Sequence, residues 1–212
     1  MSLQNYSQIP KFNVSRETCN DLESLVGMIQ KKNSEINIIS REMSEKDAIR
    51  HRHIIDSAQI IDFVDINSDT TYDLGSGAGL PGLVVAIAMK NLKIDMKVSL
   101  FEKSYHKCVF LKDVSKELNL NTEVIQKDIF KLKNMETGTV MSRAFKPMPL
   151  ILNLVNENFK RFKNIIFFMG KNGKKVLKET LQHWDLDYEE KKSLTNEDSF
   201  ILNIKKIKKK LS

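Results

Sequence analysis

A chain of 212 residues holds one large domain, or an ordinary domain with an extension, and its 41% hydrophobic content fits a soluble globular protein. The formal charge of +7, from 34 lysines and arginines against 27 acids, favours polyanionic partners such as nucleic acid or an acidic membrane surface. No apolar run approaches the roughly 20 residues a membrane span requires, the opening MSLQNYSQIPKF has no basic start followed by an apolar core, and Cys19 and Cys108 stand in no metal-ligand spacing; the expectation is a cytoplasmic protein with reduced thiols, no membrane segment and no metal.

The texture of the chain changes near residues 67–71. Before the change, Leu22, Leu25, Val26 and Ile29 recur at helical spacing over 15–32, with Ser15 as the N-cap. Residues 36–40, INIIS, read as an extended link. A second helix is expected from Ser44, where SEKD has the form of a capping box, through AIRHRHIIDSAQIIDFV. After DINSDTT, strand-like runs at 71–74, 97–101, 123–126, 139–142, 164–169 and 200–205 alternate with helix-like segments at 81–90, 104–118, 147–162 and 173–183. Strands alternating with helices predict an α/β fold, a doubly wound parallel sheet covered on both faces, so that 1–66 form a helical cap and 67–212 the ligand-binding domain.

Within that domain, YDLGSGAGLPGL joins the first strand to the first helix, and ligands of such sheets lie beyond the C-terminal strand ends. Two registers compete. Counted from Gly77, GAGLPG is formally the G-x-G-x-x-G of dinucleotide enzymes, with Glu102 at a suitable distance for a ribose. Counted from Gly75, Asp73, Gly75, Gly77 and Gly79 make D-x-G-x-G-x-G. TYDL ends directly before Gly75, which favours the second register. A carboxylate at Asp73 would repel a pyrophosphate but suits an ammonium and a sulfonium, which points to S-adenosylmethionine. Glu102, at the end of the second strand, is then expected to accept from both ribose hydroxyls. Asp128, Ile129 and Phe130, after the third strand, are placed for a polar contact and apolar packing around an adenine.

DLGSGAGLPG, preceded by RHIIDS at 52–57 and followed by SRAF at 142–145, resembles the glucose-inhibited division protein B family, with similarity running from about Asn33 to the last strand. The resemblance implies a class I S-adenosylmethionine-dependent methyltransferase fold, a Rossmann-like doubly wound sheet. It implies S-adenosylmethionine as donor and N7 of a guanine in the 16S ribosomal RNA of the small ribosomal subunit as acceptor. By motif position, Gly75 and Leu80 line the cofactor site, Ile129 and Phe130 lie against the adenosine, and Arg143 reaches the cofactor and target region. The chain departs from the family in having Lys32 and Ile36 where a tryptophan and a tyrosine are usual. Met169 and Gly170 stand in place of a Lys-Gly pair, so a basic contact near the substrate would come from Lys171.

Guanine N7 carries an in-plane lone pair and no proton, so no general base is expected, and alignment of N7, methyl and sulfur is the site's task. Arg143 suits the base O6 or a phosphate, against a structural ion pair at a strand end. His53 and Asp56 lie three apart on one helical face and either couple cap to domain, contact RNA, or form a helix-stabilising pair. The basic runs 171–178 and 205–210 offer charge to RNA phosphates or are solvated faces. Two other classes stay open: a nicotinamide-dependent oxidoreductase in the first register, and a non-catalytic basic RNA-binding module. A monomer is expected.

Overall fold

The computed structural model describes Tyr6 and residues 14–210; the rest of the opening stretch and the last two residues of the lysine-rich end lie outside the described residues. Ser15 caps the first helix, its Oγ accepting from Thr18 N at 3.1 Å, and α1 runs Arg16–Glu35. The apolar face of α1, formed by Leu22, Leu25, Val26 and Ile29, is wholly buried. It shares one hydrophobic cluster with Leu83, Val84 and Ile87 of the helix that follows the glycine turn. The N-terminal helices thus cover one face of the sheet. Lys90 reinforces this contact from that helix by donating to Asp21 at 2.9 Å.

The expected second helix is broken. A 3-10 turn at Arg41–Met43 precedes α2 (Lys46–Ile49), a π-helical turn at Arg50–Ile55, α3 (Asp56–Ala58) and a second 3-10 turn at Ile61–Phe63. The capping box does not form. Ser44 ends the first 3-10 turn and donates its hydroxyl back to Arg41 O at 2.7 Å, leaving Glu45 as the cap residue of α2. Asp47, the would-be partner, is bound to Arg50. Tertiary bonds override the helical pattern here, since Arg50 also donates to Glu23 of α1 at 2.7 and 2.6 Å. A π-turn inserts an extra residue into the helical circuit, a feature frequent at functional sites.

The sheet comprises β1 (Thr70–Leu74), β2 (Lys97–Phe101), β3 (Thr122–Ile125), β5 (Thr139–Ser142), β7 (Asn164–Met169), β8 (Trp184–Lys192) and β9 (Phe200–Lys209); a short pair, β4 (Met135–Glu136) and β6 (Phe159–Arg161), stands apart. Its order is β3-β2-β1-β5-β7-β9-β8. The first five are parallel, but β9 and β8 run antiparallel, which corrects the expectation of a wholly parallel sheet. The helices α4 (Gly82–Leu92), α5 (Tyr105–Glu117), α6 (Met148–Asn158) and α7 (Gly173–Thr180) connect the strands. Successive residues of the central strands alternate between two clusters: Met141 and Ile166 face the N-terminal helices, Val140 and Ile165 face α6. Strand order reverses between β1 and its neighbours β2 and β5, so a crevice opens at their C-terminal ends.

At the opposite ends of the strands, Asn164 ties three segments together. Its Oδ1 accepts from Thr139 Oγ1 at 2.8 Å, and its Nδ2 donates to Phe63 O and Asn203 Oδ1, both at 2.7 Å. Asn164→Ala strands these buried partners, and urea denaturation is expected to show a loss of about 2–3 kcal/mol; a loss under about 0.5 kcal/mol would show that the network is dispensable.

Candidate active site

Directly after β1 the chain turns through Gly75, Gly77 and Gly79 at φ 75°, 57° and 83°. Gly75 N and Ser76 N both donate to Phe101 O at 2.9 Å, which fastens the turn to the end of β2. A Cβ on Gly75 would come within 2.2 Å of the Phe145 ring, and one on Gly79 within 2.2 Å of Leu83 Cδ1. The first glycine therefore admits the SRAF loop and the third admits α4, and in both the positive φ alone disfavours any side chain.

The turn floors a cleft of about 450 Å³, within the range of small-molecule sites. Gly75, Gly77 and Leu80 line it from the turn, Glu102 from the end of β2, Ile129 from beyond β3, and Arg143 from the end of β5. His53 lines it from the π-turn. All seven of these residues were singled out in the sequence, and the fold brings them together.

Other expected site residues lie elsewhere. Asp73 is 1% exposed and turned into the protein, where Oδ2 accepts from Gly82 N at 3.1 Å; it fixes the start of α4 and does not line the cleft. Burial pushes its carboxyl up to about 7, against the opposing effect of the Gly82 bond and of the Arg143 charge. Gly79 serves packing. Asp128 is engaged by Lys103 Nζ at 3.0 Å and Phe130 N at 3.2 Å, outside the lining. Phe130 is exposed and outside the lining, its ring 6.3 Å from that of Phe145. Lys171 lines a neighbouring cleft. Glu102 already accepts from Gly77 N at 3.0 Å and from Lys103 N and Ser104 N at 2.8 Å. Three of about four carboxylate acceptor sites are filled, so it has room for one ribose hydroxyl and not both.

Arg143 is the junction between the N-terminal segment and the sheet. Its Nη2 donates to Arg52 O at 2.7 Å and pairs with Asp56 Oδ2 at 3.0 Å, while Nη1 donates to Ser57 Oγ at 3.1 Å. Its guanidinium also stacks 5.4 Å from the Phe168 ring centroid. Asp56 is held in turn by Thr195 and Gln59, each at 2.7 Å, and lies away from the cleft lining. His53 Nδ1 lies 3.4 Å from Arg143 Nη2. A guanidinium only donates, so Nδ1 accepts and the neutral ring carries its proton on Nε2, which is buried with no hydrogen-bond partner among the described residues. Burial, with the Arg143 charge, pushes the imidazole down to about 4.

Sequence reasoning missed several lining residues. Ile38 and Ile39 of the INIIS link lean over the cleft because Asn33 Oδ1 accepts from both of their amides, at 2.9 and 3.0 Å. Phe145 and Ala144, the latter at φ 48°, form the wall next to Arg143; Lys107 and Lys127 stand at the rim. The SRAF motif was visible, but its phenylalanine gave no local sign of packing on a glycine that precedes it by seventy residues.

Five parallel strands closed by the antiparallel β9–β8 pair, with a glycine turn at the switch point, have the class I methyltransferase fold. Magnesium protoporphyrin IX methyltransferase from Synechocystis PCC 6803, solved with bound SAM, superposes with a TM-score of 0.59 at 12% identity over 92% of this chain and 100% of that one. The 16S rRNA methylase RmtB superposes with a TM-score of 0.53 at 11% identity over 93% and 78%. At these identities the likeness concerns the fold. The particular family follows from the sequence. The profile described as GidB, rRNA small subunit methyltransferase G, matches residues 18–202. A ribosomal RNA small subunit methyltransferase G from Pelagibacter ubique (strain HTCC1062) is 56% identical over 98% of this chain and 97% of its own. One of the same name from Rickettsia akari (strain Hartford) is 32% identical over 92% and 98%. The chain belongs to the GidB family, whose methyl donor is S-adenosylmethionine. The cleft fits that donor: Gly77 leaves open the space that a side chain would fill, and Glu102 retains acceptor capacity.

Two outcomes test this geometry. Removing Arg143 strands a carboxylate that is only 15% exposed, so Arg143→Ala should cost about 3 kcal/mol in urea denaturation. Adding Asp56→Ala should then cost less than the sum of the single changes, whereas strict additivity would deny the pair. The Asp73 carboxyl titrates in the folded protein above its ordinary range, so its contribution to stability is full below about pH 4 and is lost as pH rises through about 7. Asp73→Asn, which keeps an acceptor for Gly82 N, should therefore gain on the wild type between pH 5 and pH 8; a constant difference would contradict the shift.

Proposed function

We propose that the protein transfers a methyl group from S-adenosylmethionine to N7 of a guanine in 16S ribosomal RNA, with the cleft beyond β1, β2 and β5 as its active site. The observation that carries this reading is the meeting of the glycine turn, Glu102 and the SRAF loop around one cleft in a chain of the GidB family. The dinucleotide register loses ground, because the turn starts at Gly75 directly after β1 and Gly77 N is committed to Glu102.

The bound donor supplies an electrophilic methyl on a sulfonium. Gly77 lets the backbone approach it, Gly75 admits the Phe145 wall beside it, and Glu102 takes one ribose hydroxyl. Ile129 offers an apolar surface to the adenine, and Leu80 closes the floor. Arg143 and His53 stand at the β5 end, where the acceptor base enters. Guanine N7 needs no base to remove a proton, so the residues here orient the base and exclude water, and orientation supplies the acceleration. Arg143 spends its Nη groups on the N-terminal segment and fixes that segment against β5. The unpartnered N–H of His53 suits a nearby acceptor such as O6. The base must leave its stack to enter. A monomer suffices, since residues of one chain close the cleft.

Transfer of radiolabelled methyl to small ribosomal subunits from cells lacking the gene, with deproteinised 16S ribosomal RNA alongside, tests the reading. Label is expected as 7-methylguanine at one position, with more on whichever form presents the base unstacked. Glu102→Gln should weaken donor binding by roughly tenfold or more. Donor binding without label on either RNA form would send the acceptor elsewhere.

A further inference from the structure

The long lysine run at the end of the chain is placed on the wrong side for catalysis. In the antiparallel pairing of β7 with β9, Met169 faces Phe200 and Ile165 faces Ile204, so 205–209 extend past the start of β7, opposite the cleft. Several of these cations are also occupied: Lys205 by Glu189 at 3.3 Å, Lys210 by Asp185 at 3.4 Å, Lys209 by Asn153 at 3.1 Å. Within 171–178, Lys174 is bound to Glu190.

A different pair of lysines flanks a second cleft, of about 590 Å³, beyond the ends of β5 and β7. Ala144 and Phe145 line this cleft and the donor cleft alike, so the two share one wall. Its floor includes Met148, Phe168 and Val176, and Lys146 and Lys171 stand at its edge, both exposed and without an ion-pair partner among the described residues. Arg143, on the donor side, stacks on Phe168, on the second side. Gly170 lines the second cleft too, and a Cβ there would meet nothing within 4 Å. Packing does not require a glycine at 170; the space beside it is open.

We propose that this second cleft binds the RNA nucleotide adjacent to the reacting guanine, its base on the apolar floor and its phosphate between Lys146 and Lys171. The inference rests on the reading of this chain as an RNA methyltransferase. An apolar surface bordered by unpaired cations is the combination that single-stranded nucleic acid requires, base stacking and burial on one part and phosphate neutralisation on the other. The shared wall lets one strand place the guanine at the methyl donor and its neighbour in the second cleft.

Gly170→Leu plugs the cleft without entering packed space, and Lys146→Ala and Lys171→Ala remove the cations singly. For Gly170→Leu, the KM for small subunits and the Kd for deproteinised 16S ribosomal RNA should both rise about tenfold or more, with the Kd for S-adenosylmethionine unchanged. Each lysine variant should reduce the slope of log K against log salt by about 0.7, whereas Lys208→Ala on the far side should leave it as it is. A wild-type RNA Kd for Gly170→Leu would overturn the proposal, as would a loss of donor affinity, which would make the cleft part of the donor site. An effect on subunits but not on deproteinised RNA would also overturn it, since the occupant would then be a ribosomal protein. Absence of methyl transfer by the unsubstituted protein would instead remove the functional reading beneath it.

Discussion

The Phe145 ring occupies the space that a side chain at residue 75 would need, and the rest of the site is arranged around that contact. Because Gly75 lacks a Cβ, the loop after β5 can close onto the turn after β1. That closure sets Ala144 and Phe145 as a wall between two clefts and brings Arg143 to the mouth of the first. From there the guanidinium reaches back to Arg52, Asp56 and Ser57. One missing methyl group thus lets three motifs, far apart in the chain, meet.

The N-terminal helices are consequently part of the site and more than a cover. They share their core with α4, they supply His53 through a π-turn, and the INIIS link is pinned over the cleft by Asn33. Arg143 joins them to the sheet by charge-assisted bonds in a mostly buried setting. Such bonds tolerate little misplacement, because either partner left alone is costly.

Much of this was legible locally. Strands β2, β5 and β7 follow from apolar runs bounded by polar breaks, and the turn register follows from where TYDL stops. Strand β8 carried a weaker sign, Trp184, Leu186 and Tyr188 alternating with acids, which the surrounding charge obscured; its antiparallel partner β9 outlasts the expected strand, with Ile207 the one apolar residue among the lysines beyond it. The helix from Ser44 misled because Arg50 and Asp47 have tertiary and local partners that no periodicity reveals. Asp73 misled for a related reason: a carboxylate at a strand end next to glycines looks like a ligand group, and only the folded chain turns it onto Gly82 N. Side-chain direction and long-range contact are the features a pattern of residue types does not contain.

Calorimetric titration of S-adenosylmethionine into Gly75→Ala and into the double variant Gly75→Ala/Phe145→Ala tests most directly whether the two loops build one donor site. The single change should weaken binding about 100-fold or more, since the new Cβ meets the ring, and removing the ring should restore part of the affinity, the remainder reflecting a side chain at positive φ. Wild-type affinity in Gly75→Ala, or no recovery in the double variant, would contradict the account.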